Sequence, residues 1–499
     1  MPDLNSNILK LLNSVVKTVT HEKHQAYLVG GFVRDLLSGR ETNDIDISVG
    51  GDAIEIAKKI SDIIGGRYVL LDEVNRVARV VMTKWEQPLY LDFSTFSGTI
   101  EEDLARRDFT IDAMAIELGE FLSDSWHLID PFKGKADLRR KTIRALSQGI
   151  FKDDPSRLLR AVRLAAELGG NIERDTKRLI KQYAKLITSV SGERQRDELL
   201  KIFTLSSCSD YLRYLDEVNL LTEIIPELEE LRGVEQPKEH YWDVLNHSLE
   251  TVAAVEFILR ERQWKYHKDD LLKVTPWSNE MEQYFDEGVS GDSNRRISLK
   301  IGALLHDIAK PQTKTVDKTG RTRFIGHAKE GAAKTVNILT RLRFSNREIK
   351  LVENLVCYHL RPVQMANAGL PTSRAIYRYF RDVGDAGIDI LFLALADYLA
   401  ARGPNLDIKE WEQHNRLVSY IINENQSQEH ERLPVKLVDG HDIMDIFGLT
   451  SGPLIGKLLR LVHESQAVGE IKTRDEAIRL VRKTLEKERC GGNCRNVTS

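Results

Sequence analysis

Residues 28–49 read LVGGFVRDLLSGRETNDIDISV. An apolar run ends in Gly30-Gly31, and a second run, from Asp44 to Val49, alternates carboxylate and apolar side chains. In a strand alternate side chains share a face, so Asp44 and Asp46 point the same way. Neighbouring carboxylates repel and are costly to hold together unless a cation lies between them. Hard oxygen ligands of this kind suit Mg²⁺, which keeps waters and accepts phosphate oxygens. Paired Mg²⁺ ions activate an attacking hydroxyl and neutralise a leaving pyrophosphate. Glycine lets backbone amides approach a phosphate with no Cβ in the way. Arg34 follows where a helix start would set it beside the same anion. Taken singly, the Gly pair also reads as a strand-to-helix turn, and the Asp pair as a surface loop. The combination of Gly30, Gly31, Arg34 and Asp35 with Asp44 and Asp46 favours a phosphate site.

Outward from this stretch, residues 5–20 have the apolar spacing of a short amphipathic helix. AYLVGGFVRDLL and DIDISVG read as apolar, β-rich runs broken by the Gly pair. AIEIAKKISDII reads as a helix, closed by Gly65-Gly66. RYVLL, VARVVMT and LYLDFSTF read as strands, so the N-terminal portion is a mixed head. Asp92, on the last of these, is either a third carboxylate for the metals or a solvent-facing strand residue.

The chain has 499 residues, too many for one core, and roughly two to four domains are expected. Its formal net charge is −3, so any nucleic-acid surface is a local patch, not a bulk basic footprint. Four cysteines are too few for a disulfide framework, which fits a reducing cytoplasm. Cys490 and Cys494, in a polar Gly/Asn tail, read as part of a frayed terminus, with a metal or redox pair as the alternative. The N-terminus lacks the basic start and apolar run of a signal peptide, and no stretch is apolar long enough to cross a bilayer.

From Ser156 onward the pattern is helical, with a joint expected at Gln236-Pro237. The polar stretch SNEMEQYFDEGVSGDSNRR (278–296) reads as a loop, and RTRFIGH (321–327) as including a short extended piece. A last helical segment follows Gly403-Pro404. The expected boundaries are a head over 1–125, a helical neck and body over 126–235, a metal-binding helical domain over 236–403 and a helical tail over 404–499. In DDPSRLLRAVRLAA (153–166), Asp154 and Arg157 stand three apart, as helix neighbours do. An Asp/Arg pair can present the hydrogen-bonding edge of a base's Watson–Crick partner. A row at three-residue spacing drifts about 60° per step, so Arg163 cannot share the face with Asp154 and suits phosphate instead. The plain alternative is a solvated, charged helix face.

With these residues in view, LVGGFVRDLLSGRETNDIDISV resembles the signature of the bacterial and eukaryotic type of tRNA nucleotidyltransferase (the CCA-adding family, whose relatives include bacterial poly(A) polymerases). EEDLARRDFTIDAMA (101–115), DPFKGKADLRRKTIRAL (130–146), DDPSRLLRAVRLAA and SGERQRDELLKIF (191–203) resemble it in order. The resemblance implies an α+β fold: a polymerase-β-like head, an all-α neck and body, an α-helical HD domain and a helical tail. It implies Mg²⁺ on Asp44 and Asp46, beside which Asp92 is the further catalytic carboxylate offered by strand alternation. It implies nucleotide contacts from Gly30, Gly31, Arg34, Asp35, Arg107, Asp108, Asp154, Arg157, Arg160 and Arg163. The substrates implied are CTP, ATP and a tRNA 3′ end, read without a template. Two departures stand out. Asp112 replaces the family's Asn, which reads as a mild change. Only SGTI separates Phe96 from Glu101, where full CCA-adding members carry a longer flexible loop that helps switch from CTP to ATP. The missing loop favours CC addition over CCA addition, with poly(A) addition a further alternative.

In the second half, His247, the doublet His306-Asp307 in IGALLHDIAKP, and Asp397 follow the H…HD…D order and resemble the HD phosphohydrolase superfamily. His327 and His359 resemble the extra histidines of two-metal members. Imidazole with carboxylate suits Mn, Fe, Ni or Zn, and such an ion can activate water against a phosphoester. A phosphohydrolase with a merely nucleotide-binding head, or a catalytically silent RNA-binding protein, are the competing readings. The intact Asp44/Asp46 pair disfavours both. In the tail, Gly452-Pro453 and Gly456 could open a helix towards phosphate, with Lys457 and Arg460 one turn apart as an RNA-backbone patch or as ordinary surface cations.

Overall fold

A computed structural model describes residues 6–492 apart from 84–87, 124–125, 268–270, 367–368 and 432–435; the side chains of Cys490 and Cys494 lie outside the described residues. The chain divides into two compact units, 1–205 with 211–226, and 206–210 with 227–499. Gln236-Pro237 therefore falls in a loop inside the second unit, and the division between units lies at Pro226–Glu227.

The first unit opens with α1 (Ser6–His21), β1 (Ala26–Val29), α2 (Gly30–Ser38), β2 (Asp44–Val49) and α3 (Ala53–Ile64). It continues with β3 (Arg67–Asp72), β4 (Val77–Met82), β5 (Leu89–Thr95), α4 (Ile100–Leu104), β6 (Ala115–Glu117) and β7 (Leu128–Ile129). The strands form one sheet in the order β3-β4-β5-β2-β1-β6-β7, parallel only at β2–β5. Alternation sorts the faces. Ile45, Ile47, Ala78, Val80, Leu91 and Phe93 are fully buried, and α3 packs on β4 and β5. Asp44, Asp46, Arg79 and Asp92 take the opposite face. The apolar segment GFVRDLL after Val29 is a helix, not a strand. Its Phe32, Val33 and Leu36 recur at helical spacing and are buried.

Pro155 interrupts the following helices. Asp154, just before it, is extended at φ −144° and ψ 100° and caps the short helix Ile150–Asp153. A residue before proline is pushed out of the α region, so Asp154 and Arg157 are not neighbours on one helix. Arg157 instead opens the helix Arg157–Leu168.

The second unit is helical. Residues 278–296 are not a loop. Ser278 accepts a hydrogen bond from the Met281 amide and caps a helix, Asn279–Asp286, that buries Met281 and Phe285 one turn apart. A small antiparallel pair, Gly288–Ser290 with Ser293–Asn294, follows. The extended piece at Thr322–Phe324 pairs with Lys314–Val316. In the tail, Gly452 precedes the helix Pro453–Ala467, whose Pro lies in the first turn. No helix among the described residues is long and apolar enough to cross a membrane.

Candidate functional sites in the two units

Asp46 and Asp92 are directly paired across the parallel β2–β5 ladder, and Asp44 lies two residues along on the same face. Asp46 also accepts a hydrogen bond from the Phe32 amide at the start of α2. Burial pushes the Asp46 carboxyl up to about 6, with Arg107 opposing and Asp92 and Asp112 adding to the rise. Burial raises Asp44 as well, against Arg79 and with help from Asp92. Asp44 and Asp46, which resist ionisation, and Asp92 beside them form a hard-oxygen donor set of the kind that divalent cations bind.

The Gly pair is fitted to this site. Gly30 has φ +62°, and a Cβ there would stand 2.8 Å from Arg107 Nη1 and 3.0 Å from Asp46 Oδ2. Any other residue would be strained and would collide with two site side chains. A Cβ on Gly31 would lie 3.3 Å from Asp46 Oδ2 and 3.5 Å from Arg34 Nη2.

Arg34 is 9% exposed. Its Nε lies 3.0 Å from Asp35 and its Nη1 2.7 Å from Asp112. Asp112 also faces Arg160 at 3.4 Å, and Arg160 Nε lies 2.7 Å from Asp108. Burial would raise the Asp112 carboxyl, but Arg34 and Arg160 hold it below the usual range. Asp112 is thus the buried centre of an ion-pair chain, and Asp in place of Asn is not the mild change read from sequence. An uncharged amide could not balance two guanidinium groups.

A cleft of about 560 Å³ is lined by Arg107, Asp108, Asp154, Arg157, Arg160, Arg194 and Lys201 among others. The structure brings together most of the residues expected to touch nucleotide, with two changes of partner. Asp154 Oδ2 accepts from Arg194 Nη2 at 2.7 Å, and Asp154 Oδ1 accepts from Ser156 Oγ at 2.8 Å. Arg157 donates to the carbonyls of Arg106 and Ile150. The Asp/Arg combination in the cleft is therefore Asp154 with Arg194, from the helix Gly192–Phe203. Arg163 does not line the cleft. It is 7% exposed, with Nη1 on Glu167 and Nε on Glu198, both at 2.6 Å. Its place further round the helix turns it inward to two carboxylates, which leaves it nothing for phosphate.

Sequence reasoning missed Arg79 and gave Arg194 and Lys201 no role. Arg79 was legible in principle, since V-A-R-V-V alternation puts it on the face of Asp92. Arg194 required knowing which helix folds back beside Asp154.

In the second unit, five helices and the residues that cap them converge on a second cluster. His247 comes from the helix Val244–Ile258, His306-Asp307 from the end of Arg295–Leu305 and His327 from the start of His327–Arg341. His359 caps Asn346–Tyr358, and Asp397 lies in Gly387–Arg402. The Nε2 atoms of His247 and His306 are 3.2 Å apart, and those of His327 and His359 are 3.3 Å apart. Asp307 spans the two pairs. Its Oδ2 lies 3.1 Å from His306 Nε2, and its Oδ1 3.4 Å from His327 Nε2. Asp397 Oδ1 adds a contact of 3.0 Å to His247 Nε2.

Backbone carbonyls set the tautomers of three of these histidines. Nδ1 of His306, His327 and His359 lies 2.9, 2.6 and 2.8 Å from the carbonyls of Ala303, Phe324 and Val356. A carbonyl only accepts, so Nδ1 carries a proton and Nε2 is the atom turned to the cluster. The two groups that could hold an ion, His247/His306/Asp307 and Asp307/His327/His359, share Asp307. Imidazoles with a shared carboxylate are a donor set that can hold divalent metal ions.

Three family models match segments of the chain. The Poly A polymerase head domain family matches residues 26–144, the "probable RNA and SrmB- binding site of polymerase A" family 170–231 and the HD domain family 244–402. The A-adding tRNA nucleotidyltransferase of Deinococcus radiodurans is 31% identical over 471 residues, spanning 93% of this chain and 96% of the relative. The CC-adding tRNA nucleotidyltransferase of Thermus thermophilus is 30% identical over 461 residues, spanning 91% and 92%. Among solved structures, a CCA-adding enzyme in complex with CTP superposes with a TM-score of 0.65 at 24% identity, over 97% of this chain and 96% of that one. This last likeness is one of fold.

Proposed function

This chain belongs to the tRNA nucleotidyltransferase family, and on that premise we propose that it adds cytidylates, without a template, to the 3′ end of tRNA. The observation that carries the reading is the in-register set Asp44, Asp46 and Asp92, beside Arg107 and the cationic cleft. The RNA 3′-hydroxyl attacks the α-phosphorus of CTP in line; the bond to the β-phosphate breaks, and pyrophosphate leaves. Asp44, Asp46 and Asp92 would hold Mg²⁺, which when bound supplies activation of the hydroxyl and charge neutralisation of the leaving group. Arg107, Arg160 and Lys201 face the triphosphate. Asp154 and Arg194 offer the acceptor and donor edge that reads the base. Arg34, anchored by Asp35 and Asp112, holds the Gly30-Gly31 turn against Asp46. Positioning and electrostatics supply most of the rate in this chemistry.

Restriction to CC is supported by the link from β5 to α4, only Phe96 to Thr99, which is closed by a capping box between Thr99 and Glu102. Such a link leaves no long mobile loop of the kind that helps full CCA-adding members change from CTP to ATP. The deciding experiment incubates the protein and Mg²⁺ with tRNA transcripts lacking CCA, ending in C, or ending in CC. CTP, ATP or both are supplied, and products are resolved at single-nucleotide length. Two C additions, with no A on the CC transcript, are expected. Full CCA synthesis or long A tails would replace the reading with CCA or poly(A) addition.

A second activity is favoured by the six-residue cluster His247, His306, Asp307, His327, His359 and Asp397. The reading is a phosphohydrolase of RNA ends or nucleotides, using Mn, Fe, Ni or Zn and working in the cytoplasm. Release of phosphate from 3′-phosphorylated RNA, or opening of a 2′,3′-cyclic end to a phosphomonoester, lost on His306→Ala with Asp307→Ala, tests it.

A further inference from the structure

Arg79 stands on the carboxylate face and has no part in the mechanism above. It pairs with Asp92 across the antiparallel β4–β5 ladder, and Asp92 pairs with Asp46 across β5–β2. The three side chains therefore stand in a row over three adjacent strands. The Arg79 fork is fully engaged with Asp92: Nε to Oδ1 and Nη2 to Oδ2, both at 2.7 Å. Its guanidinium also lies 4.7 Å from the Tyr90 ring centroid, stacked on a residue of the same face. A bidentate fork and an aromatic floor fix the plane of the carboxylate and leave Asp92 a single orientation. Each carboxylate oxygen keeps a second lone pair when it accepts one hydrogen bond. The fork therefore leaves lone pairs on the side facing Asp46.

Resting on the reading of Asp92 as a metal-face carboxylate, we propose that Arg79 is the positioning residue of the reaction centre: it holds Asp92 as the third ligand beside Asp46. Two consequences of its charge compete. Positioning strengthens the site, whereas a cation beside three carboxylates repels a metal ion. Partners that orient metal ligands are typically worth ~10- to 100-fold in affinity or activity. The repulsion is worth less, because Arg79 is half-exposed, screened by solvent and already paired with Asp92. Positioning therefore wins.

The test uses the full-length protein and Mn²⁺ as the spectroscopic probe, with binding followed by electron paramagnetic resonance and CTP addition by rapid quench. Arg79→Met is expected to weaken Mn²⁺ binding and lower kcat by at least about tenfold, with KM for CTP changed less than about threefold. Arg79→Lys keeps the charge but loses the fork and the stack, and is expected to recover no more than a small part of either loss. Unchanged or tighter Mn²⁺ binding in Arg79→Met, or full rescue by Lys, would overturn the proposal, because the residue would then act only as a charge. Asp92→Asn separates this from the reading beneath it. An impaired Asp92→Asn beside a wild-type-like Arg79→Met rejects Arg79 alone. A wild-type-like Asp92→Asn rejects the role of Asp92, and the proposal falls with it.

Discussion

Asp112 accepts a hydrogen bond from Arg34 Nη1 at 2.7 Å while its second oxygen faces Arg160, so one buried carboxylate ties the Gly30-Gly31 helix to the wall of the cleft. Replacing it with Asn keeps the shape and removes the charge, leaving the buried Arg34 and the half-exposed Arg160 short of a counterion. Asp112→Asn should destabilise the first unit by about 1–4 kcal/mol at pH 7. The sign with pH follows from the direction of the shift. The folded pKa lies below the unfolded value, so the contribution is present above about pH 4 and is lost as pH falls through the folded value. Denaturant unfolding of both proteins at pH 7 and in acid checks this, since the two curves should converge at low pH.

Asp46 behaves in the opposite sense. Its carboxyl is raised to about 6 in the bare protein, so the fold binds protons more readily than the unfolded chain. Metal-free stability should decline as pH rises from about 4 to about 6. Asp46→Asn should therefore stabilise the metal-free protein at pH 7, by no more than about 3 kcal/mol, while abolishing nucleotide addition. Calorimetry with and without Mg²⁺ distinguishes the cases: the ion should raise the melting temperature of the natural protein and leave that of the variant unmoved.

The shared carboxylate of the second unit makes a stoichiometric prediction. Asp307 belongs to both potential ion groups, whereas His359 belongs to one. His359→Ala should lose about half of the bound transition metal, and Asp307→Ala nearly all of it, by elemental analysis after gel filtration. CTP addition in Mg²⁺ should persist in both. Equal metal loss in the two variants would show that Asp307 does not bridge.

Arg160 and Arg163 lie three apart and should separate cleanly. Arg160→Ala removes a group that lines the cleft, and should raise KM for CTP or lower kcat by about tenfold or more. Arg163→Ala leaves Glu167 and Glu198 without their shared cation. It should cost about 2–4 kcal/mol of stability with KM for CTP nearly unchanged. Steady-state kinetics set beside thermal unfolding of each variant checks the division.

How much of this was readable in advance differs by residue. The period-2 pattern of DIDISV and LYLDFST put Asp44, Asp46 and Asp92 on single faces of their strands, because side-chain alternation is a local property of the backbone. The HD doublet and its histidines were likewise legible, since residue type and order restrict the chemistry strongly. What alternation could not supply was the pairing of strands. That β5 lies parallel beside β2, with Asp92 against Asp46, and that β4 brings Arg79 onto Asp92, depends on which distant segments share hydrogen bonds.

The helical half of the first unit shows the same limit from the other side. Three-residue spacing suggested that Asp154 and Arg157 act as a pair, but Pro155 breaks the helix between them, and Arg194 arrives from 40 positions away to take the carboxylate. The sequence by itself determined the local periods, the Gly30 turn and the kinds of ligand that each unit can offer, because these follow from backbone stereochemistry and side-chain chemistry alone. The tertiary structure alone decided which charges meet. Ion pairs such as Arg34–Asp112 and Arg163–Glu198, and the bridging place of Asp307, arise from packing segments far apart in the chain, and the energy of a charge depends on the neighbours with which it is buried.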